Sequence, residues 1–172
     1  MNQRIASMRP SASMVLMGRA KEMQKKDPTV IGLAGGEPDF DTPNRISMAA
    51  IRSLTEGNTH YVVGPGIPEL RAAIKKKMLE ENGVECDENC ILVTPGGKNA
   101  IYLAVQAVLN EGDEVIVLDP AWVSYEPIVQ AAGGVTVKVK LDYRTDYRIT
   151  REALENAYSE KTRMLMYDEA SR

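Results

Sequence analysis

Gly96-Gly97-Lys98 stands between two apolar stretches, Ile91-Leu92-Val93 before it and Ile101 to Leu109 after it. The pattern reads as a short buried strand, a glycine turn, and a helix beginning at about Gly97. A helix N-terminus carries backbone N–H groups that the helix does not use, and the positive end of the helix dipole. Two glycines let that backbone approach a bulky anion, and Lys98 adds a full positive charge. The chemistry these residues suit is the binding of a phosphate group. An ordinary strand-to-helix turn would use the same glycines, so the stretch alone leaves both readings open. Leu103, Val105, Ala107 and Val108 make the helix apolar nearly all round, which predicts burial.

Other reactive residues are few. Cys86 and Cys90 are the only cysteines and His60 is the only histidine, far from them in sequence. A metal centre would need further ligands, so no metal is expected, and the cysteines read as two reduced thiols. Lys75-Lys76-Lys77 reads as a solvated helix face. The formal net charge of -3 gives no basic footprint for nucleic acid. With 172 residues, 44% hydrophobic and 26% charged, the composition is that of a globular domain. No apolar run approaches the roughly 18 to 20 residues that span a bilayer. The first ten residues lack the apolar core of a signal peptide, so a cytoplasmic location is the expectation and no membrane partner is foreseen.

The elements that must position these residues follow from periodicity. Helices are predicted over 11–26, 44–56, 67–82, from about 97 to 109, 125–132 and 150–158; Thr150 opens the last with a partial capping box. Strands are predicted at 30–33, 91–93, 114–118, 135–139 and 162–167. Irregular, glycine- and proline-rich loops cover 34–43 and 60–66. Alternating helices and strands predict an α/β layer fold with a mainly parallel sheet. Ligands of such sheets bind beyond the C-terminal ends of the strands. The Gly96 turn and the loop holding Trp122 both leave strands at that end, and so could face one site.

With these pieces placed, the sequence resembles the class I aminotransferases, within the pyridoxal-phosphate enzymes of fold type I. The matching motifs run in the family's order: GLAGGEPDFDTP at 32–43, HYVVGPGIPELR at 60–71, TPGGKNA at 94–100, DEVIVLDPAWVSYEP at 113–127 and AAGGVTV at 131–137. The likeness covers about residues 4 to 166 and is nearest the bacterial aspartate and aromatic aminotransferase branch. It implies a three-layer large domain with a mainly parallel sheet, flanking helices and an N-terminal arm, here truncated. Residues 1–43 would form the arm and the substrate-side loop, and residues 44–172 a partial pyridoxal-phosphate-binding domain. It implies pyridoxal 5'-phosphate as cofactor, held at its phosphate by Gly96, Gly97 and Lys98. Trp122 would stack on its ring and also border the substrate. The backbone of Gly36 would lie by the substrate α-carboxylate. Tyr61 would reach the phosphate in a partner subunit, which implies a homodimer. The implied reaction transfers an amino group between an amino acid and a 2-oxo acid.

The resemblance also shows what these residues lack. The family's chains are more than twice as long. Their Schiff-base lysine, the aspartate facing the ring nitrogen and the arginine gripping the substrate carboxylate have no counterparts here. Lys98, on the phosphate turn, is not that lysine, so no catalytic residue is assigned and these residues alone are expected to be inactive. After Met166 the family continues into an asparagine–proline loop. Here Tyr167-Asp168-Glu169-Ala170-Ser171-Arg172 follows instead, and it reads as a segment from further along such a protein joined after an internal loss. Carbon–sulfur lyases share much of this half, so a lyase portion is the alternative within the fold. A non-catalytic remnant serving as an interaction module, with the phosphate turn kept, is the alternative of another function class. A nucleotide site is disfavoured, because the glycine spacing matches neither Gly-x-x-x-x-Gly-Lys-Ser/Thr nor Gly-x-Gly-x-x-Gly.

Overall fold

The computed structural model describes residues 3–8 and 10–167. The helices and strands, in chain order, are α1 (Gln3–Ser7), α2 (Ala12–Lys26), α3 (Asn44–Thr55), α4 (Pro68–Asn82), α5 (Gly97–Val108), β1 (Glu114–Asp119), α6 (Tyr125–Ala131), β2 (Val135–Lys140), α7 (Arg151–Ala157) and β3 (Thr162–Met166). They fall into two compact units, residues 1–36 with 96–172, and residues 37–95.

The first unit holds the sheet. Its three strands are parallel in the order β2-β1-β3. Glu114 to Asp119 align residue for residue with Val135 to Lys140, while the pairing with β3 is irregular between Glu114 and Val115. Side chains of a strand alternate between faces, and in β1 both faces are covered. Val115 and Val117 pack with Val105 and Leu109 around α5, with Ile128, Val129 and Ala132 around α6, and with Met166. Ile116 and Leu118 pack on the opposite face with Val139, against Ala153, Leu154 and Ala157 of α7. Burial on both sides is why β1 reads as an unbroken apolar run rather than an alternating one. The result is an α/β/α layering, as the alternation of elements predicts.

The ends of these elements follow from their residues. The Thr150 hydroxyl accepts a hydrogen bond from the Ala153 amide at 3.1 Å, which starts α7. Asp27 ends α2, and its Oδ1 accepts from the Thr29 amide and hydroxyl at 2.9 and 2.6 Å. The Thr29 hydroxyl, and then its amide, hold the Asp27 carboxyl below the ordinary carboxylate range. Lys138 of β2 meets Glu126 of α6 at 2.7 Å, tying strand to helix. That hydrogen bond raises Lys138 above its usual value.

The second unit holds α3 and α4 with a 3-10 turn at Glu88–Cys90. Arg71 of α4 donates to the Glu88 carbonyl through Nε at 3.0 Å and also through Nη2, so the helix grips the turn. Gly66, at φ +109°, lies so close to Val93 that a Cβ there would sit 2.7 Å from a Val93 methyl. The Val93 amide donates to the Pro65 carbonyl at 2.9 Å.

Three sequence expectations are corrected. Residues 91–93 belong to no sheet; the Val93 amide donates instead to the loop at Pro65. Residues 30–33 form no strand either. The Val30 carbonyl accepts from the Gln24 side chain at 3.0 Å, and Ile31 and Leu33 stand exposed. Helix α5 is not buried all round. Val105 is fully buried, but Leu103 and Val108 are exposed, because only one face of the helix meets the sheet and α6.

Candidate functional site

The turn before α5 has the backbone that its glycines allow. Gly96 adopts φ +89°, a conformation disfavoured for residues bearing a Cβ. The amides of Asn99 and Ala100 donate to the Gly96 carbonyl at 3.2 and 3.3 Å and so open the helix. The Gly97 and Lys98 amides precede these first bonds, at the positive end of a 12-residue helix. No atom of another segment lies within 4 Å of where a Cβ on Gly96 or Gly97 would stand. The turn therefore offers backbone at its surface, with room for an anion to touch it.

Trp122 stands just past the C-terminal end of β1, after a cis Asp119-Pro120 bond. Its carbonyl accepts from the Tyr125 amide at 3.1 Å, folding the loop into the start of α6. The two rings meet edge to face, centroids 5.6 Å apart at 86°. Tyr125 is partly buried against the sheet core, which anchors the pair, while Trp122 keeps 38% of its surface exposed.

The Lys98 ammonium lies 5.1 Å from the centre of the Trp122 ring. That contact brings the glycine turn and the tryptophan loop together, although only the tryptophan loop follows a strand. A cation, helix-start amides and an aromatic plane in one place can hold a ligand that is anionic at one end and flat at the other.

The remaining predicted residues take no part in the contact between Lys98 and Trp122. Gly36 ends the N-terminal segment of the same unit, with nothing within 4 Å of where its Cβ would be. Tyr61 belongs to the other unit and is fully exposed. Cys86 is half-buried and Cys90 exposed, both as free thiols. Among the described residues no three His, Cys, Asp or Glu side chains are grouped to hold a metal. Asp168 and Glu169 lie outside the described residues. Sequence reasoning gave no role to Tyr125, the edge-on neighbour of Trp122. Tyr125 opens α6 three residues after Trp122, and only the fold shows that this sets one ring against the other.

Comparison with known proteins gives this geometry a family. Residues 28–171 match the family model described as aminotransferase class I and II. An aspartate aminotransferase from Bacillus sp. (strain YM-2) is 42% identical over 168 residues, covering 98% of this chain and 43% of the relative. A probable aspartate aminotransferase from Streptomyces griseus is 43% identical over 164 residues, covering 95% of this chain and 77% of the relative. A solved Thermus thermophilus aspartate aminotransferase, a tetra mutant complexed with tryptophan, superposes with a TM-score of 0.91 at 39% identity, covering 96% of this chain and 43% of the other. The chain thus spans less than half the length of the Bacillus and Thermus proteins. It belongs to the class I and II aminotransferases, and corresponds to the N-terminal part of their fold.

Proposed function

We propose that residues 96–98 and Trp122 form the phosphate and ring side of a pyridoxal 5'-phosphate site, in a protein that transfers an amino group between an amino acid and a 2-oxo acid. The observation that carries this reading is the Lys98 ammonium 5.1 Å from the Trp122 ring. A glycine turn suited to an anion and a flat aromatic face thus lie within the span of one small molecule. The open space over Gly96 and Gly97 fits a phosphate, and the exposed Trp122 surface fits a planar heterocycle. Pyridoxal phosphate, when bound, supplies a ring that accepts the electrons released as the substrate's α-proton leaves.

The chain's own groups bind and orient. The Gly97 and Lys98 amides donate to phosphate oxygens, and the Lys98 side chain neutralises charge. Trp122 fixes the plane of the ring, and Tyr125 fixes Trp122. The Gly36 backbone lies by the substrate carboxylate, and Tyr61 donates its phenol to the phosphate bound by a second copy, in a cytoplasmic homodimer. Residues 1–43 serve as arm and substrate-side loop, and residues 44–172 contribute to the cofactor domain. None of the lysines here matches the family's Schiff-base motif, so these 172 residues hold a proton-transfer site's walls without its base.

A competition assay tests the reading. The chain should bind pyridoxal 5'-phosphate more tightly than pyridoxal, and inorganic phosphate should displace the former alone. Equal binding of the two, indifferent to phosphate, would overturn the assignment of the turn.

A further inference from the structure

The contact between Lys98 and Trp122 has a geometry of its own, apart from any ligand. Lys98 is exposed and reaches across from the first turn of α5. Its ammonium stands over the indole, 5.1 Å from the ring centre, within the range of a cation–π attraction. Tyr125 meets the same indole edge to face at 86°. The ring is thus held by two independent neighbours. Tyr125 rises from the sheet core, whereas Lys98 belongs to the turn on which a phosphate would rest. Trp122 sits on an irregular stretch after β1 and keeps 38% of its surface exposed, so packing alone leaves the indole room to swing.

We infer that Lys98 is a positioning residue, whose ammonium seats the Trp122 indole against the phosphate turn before a planar ligand arrives. What the seated ring is for rests on the functional reading above; the seating itself does not. A cation–π contact at an exposed site favours the seated ring over the free one by about two- to fivefold. One face of the indole is committed to Lys98, and a flat ligand would then use what the cation and Tyr125 leave. The phosphate turn and the aromatic platform become one preorganised element, which lowers the ordering cost of binding.

Trp122 is the only tryptophan of the chain, so intrinsic fluorescence reports this one ring. The free chain, Lys98→Met and Lys98→Arg should be compared by fluorescence anisotropy and acrylamide quenching, with circular dichroism confirming equal secondary structure. Lys98→Met should release the ring, lowering anisotropy and raising the quenching constant in line with a two- to fivefold loss of the seated form. Lys98→Arg, which keeps a cation over the ring, should stay near the parent chain. Unchanged anisotropy and quenching in Lys98→Met would overturn the inference, as would an Arg variant as mobile as the Met variant. Equilibrium dialysis with pyridoxal 5'-phosphate separates the two levels. If the parent chain fails to bind it, the functional reading fails, while the fluorescence still decides the seating.

Discussion

At the scale of single residues, Trp122 and Gly96 carry different parts of the site. The indole offers a flat face, and stacking of aromatic planes contributes about 0.5–1.5 kcal/mol beyond simple burial. Trp122→Ala should therefore weaken pyridoxal 5'-phosphate binding about three- to tenfold or more, while Trp122→Phe retains most of it; equilibrium dialysis checks both. Gly96 acts through its backbone. At φ +89° and ψ 159°, a region kept essentially for glycine, a Cβ costs about 1–3 kcal/mol of strain, although nothing nearby would block it sterically. Gly96→Ala should thus distort the turn rather than the fold. The expected outcome is weakened binding of the phosphate ester, unchanged weak binding of pyridoxal, and a cooperative melting curve whose midpoint falls by a few degrees. The glycines and Trp122 could be singled out from sequence because their types declare a chemistry. Tyr125 could not, since a tyrosine at a helix start has many ordinary uses until the ring beside it is seen.

At the scale of elements, the sheet and the loop at Gly66 fail in different ways when altered. Val115 is fully buried between β2 and β3 and packs toward α5 and α6. Val115→Ala removes two methyl groups and leaves a cavity, and should cost about 2–3 kcal/mol, read as a lower midpoint in urea. Gly66 is constrained twice, by φ +109° and by the Val93 side chain beneath it. Gly66→Ala should expose the amides of residues 60–95 to hydrogen exchange while leaving those of β1 protected; protection lost in β1 as well would show that the two units melt as one. β1, β2, β3 and α2 to α7 were legible in the sequence, since their periodicity and end signals are local. Residues 30–33 and 91–93 were not. Their side chains suit strands, but a strand exists only where a partner supplies its hydrogen bonds, and here Gln24 and Pro65 take that place. The apolar circumference of α5 misled for a related reason. Sequence shows what a helix could bury, and only packing shows which face is covered.

At the scale of the whole molecule, many large apolar side chains stand in solvent, among them Ile46, Ile51 and Leu54 on α3 and Leu103 and Val108 on α5. Exposed apolar side chains in such number favour association. Sedimentation velocity on the 172-residue chain should show assemblies that grow with concentration; a monomer over the whole range would contradict this. No helix among the described residues is long and apolar enough to cross a membrane. Family membership was legible from five motifs in order, and it was the only route to Gly36 and Tyr61, which as single residues are ordinary members of a loop. These residues are expected to bind the phosphate and the ring of the cofactor but to supply no lysine that reacts with it. Absorbance titration with pyridoxal 5'-phosphate, followed by borohydride reduction and peptide mapping, tests this most directly. The expected result is saturable binding with reduced adducts scattered over surface lysines. Stoichiometric trapping at one lysine, Lys98 included, would contradict the claim and place the reacting amine within this chain.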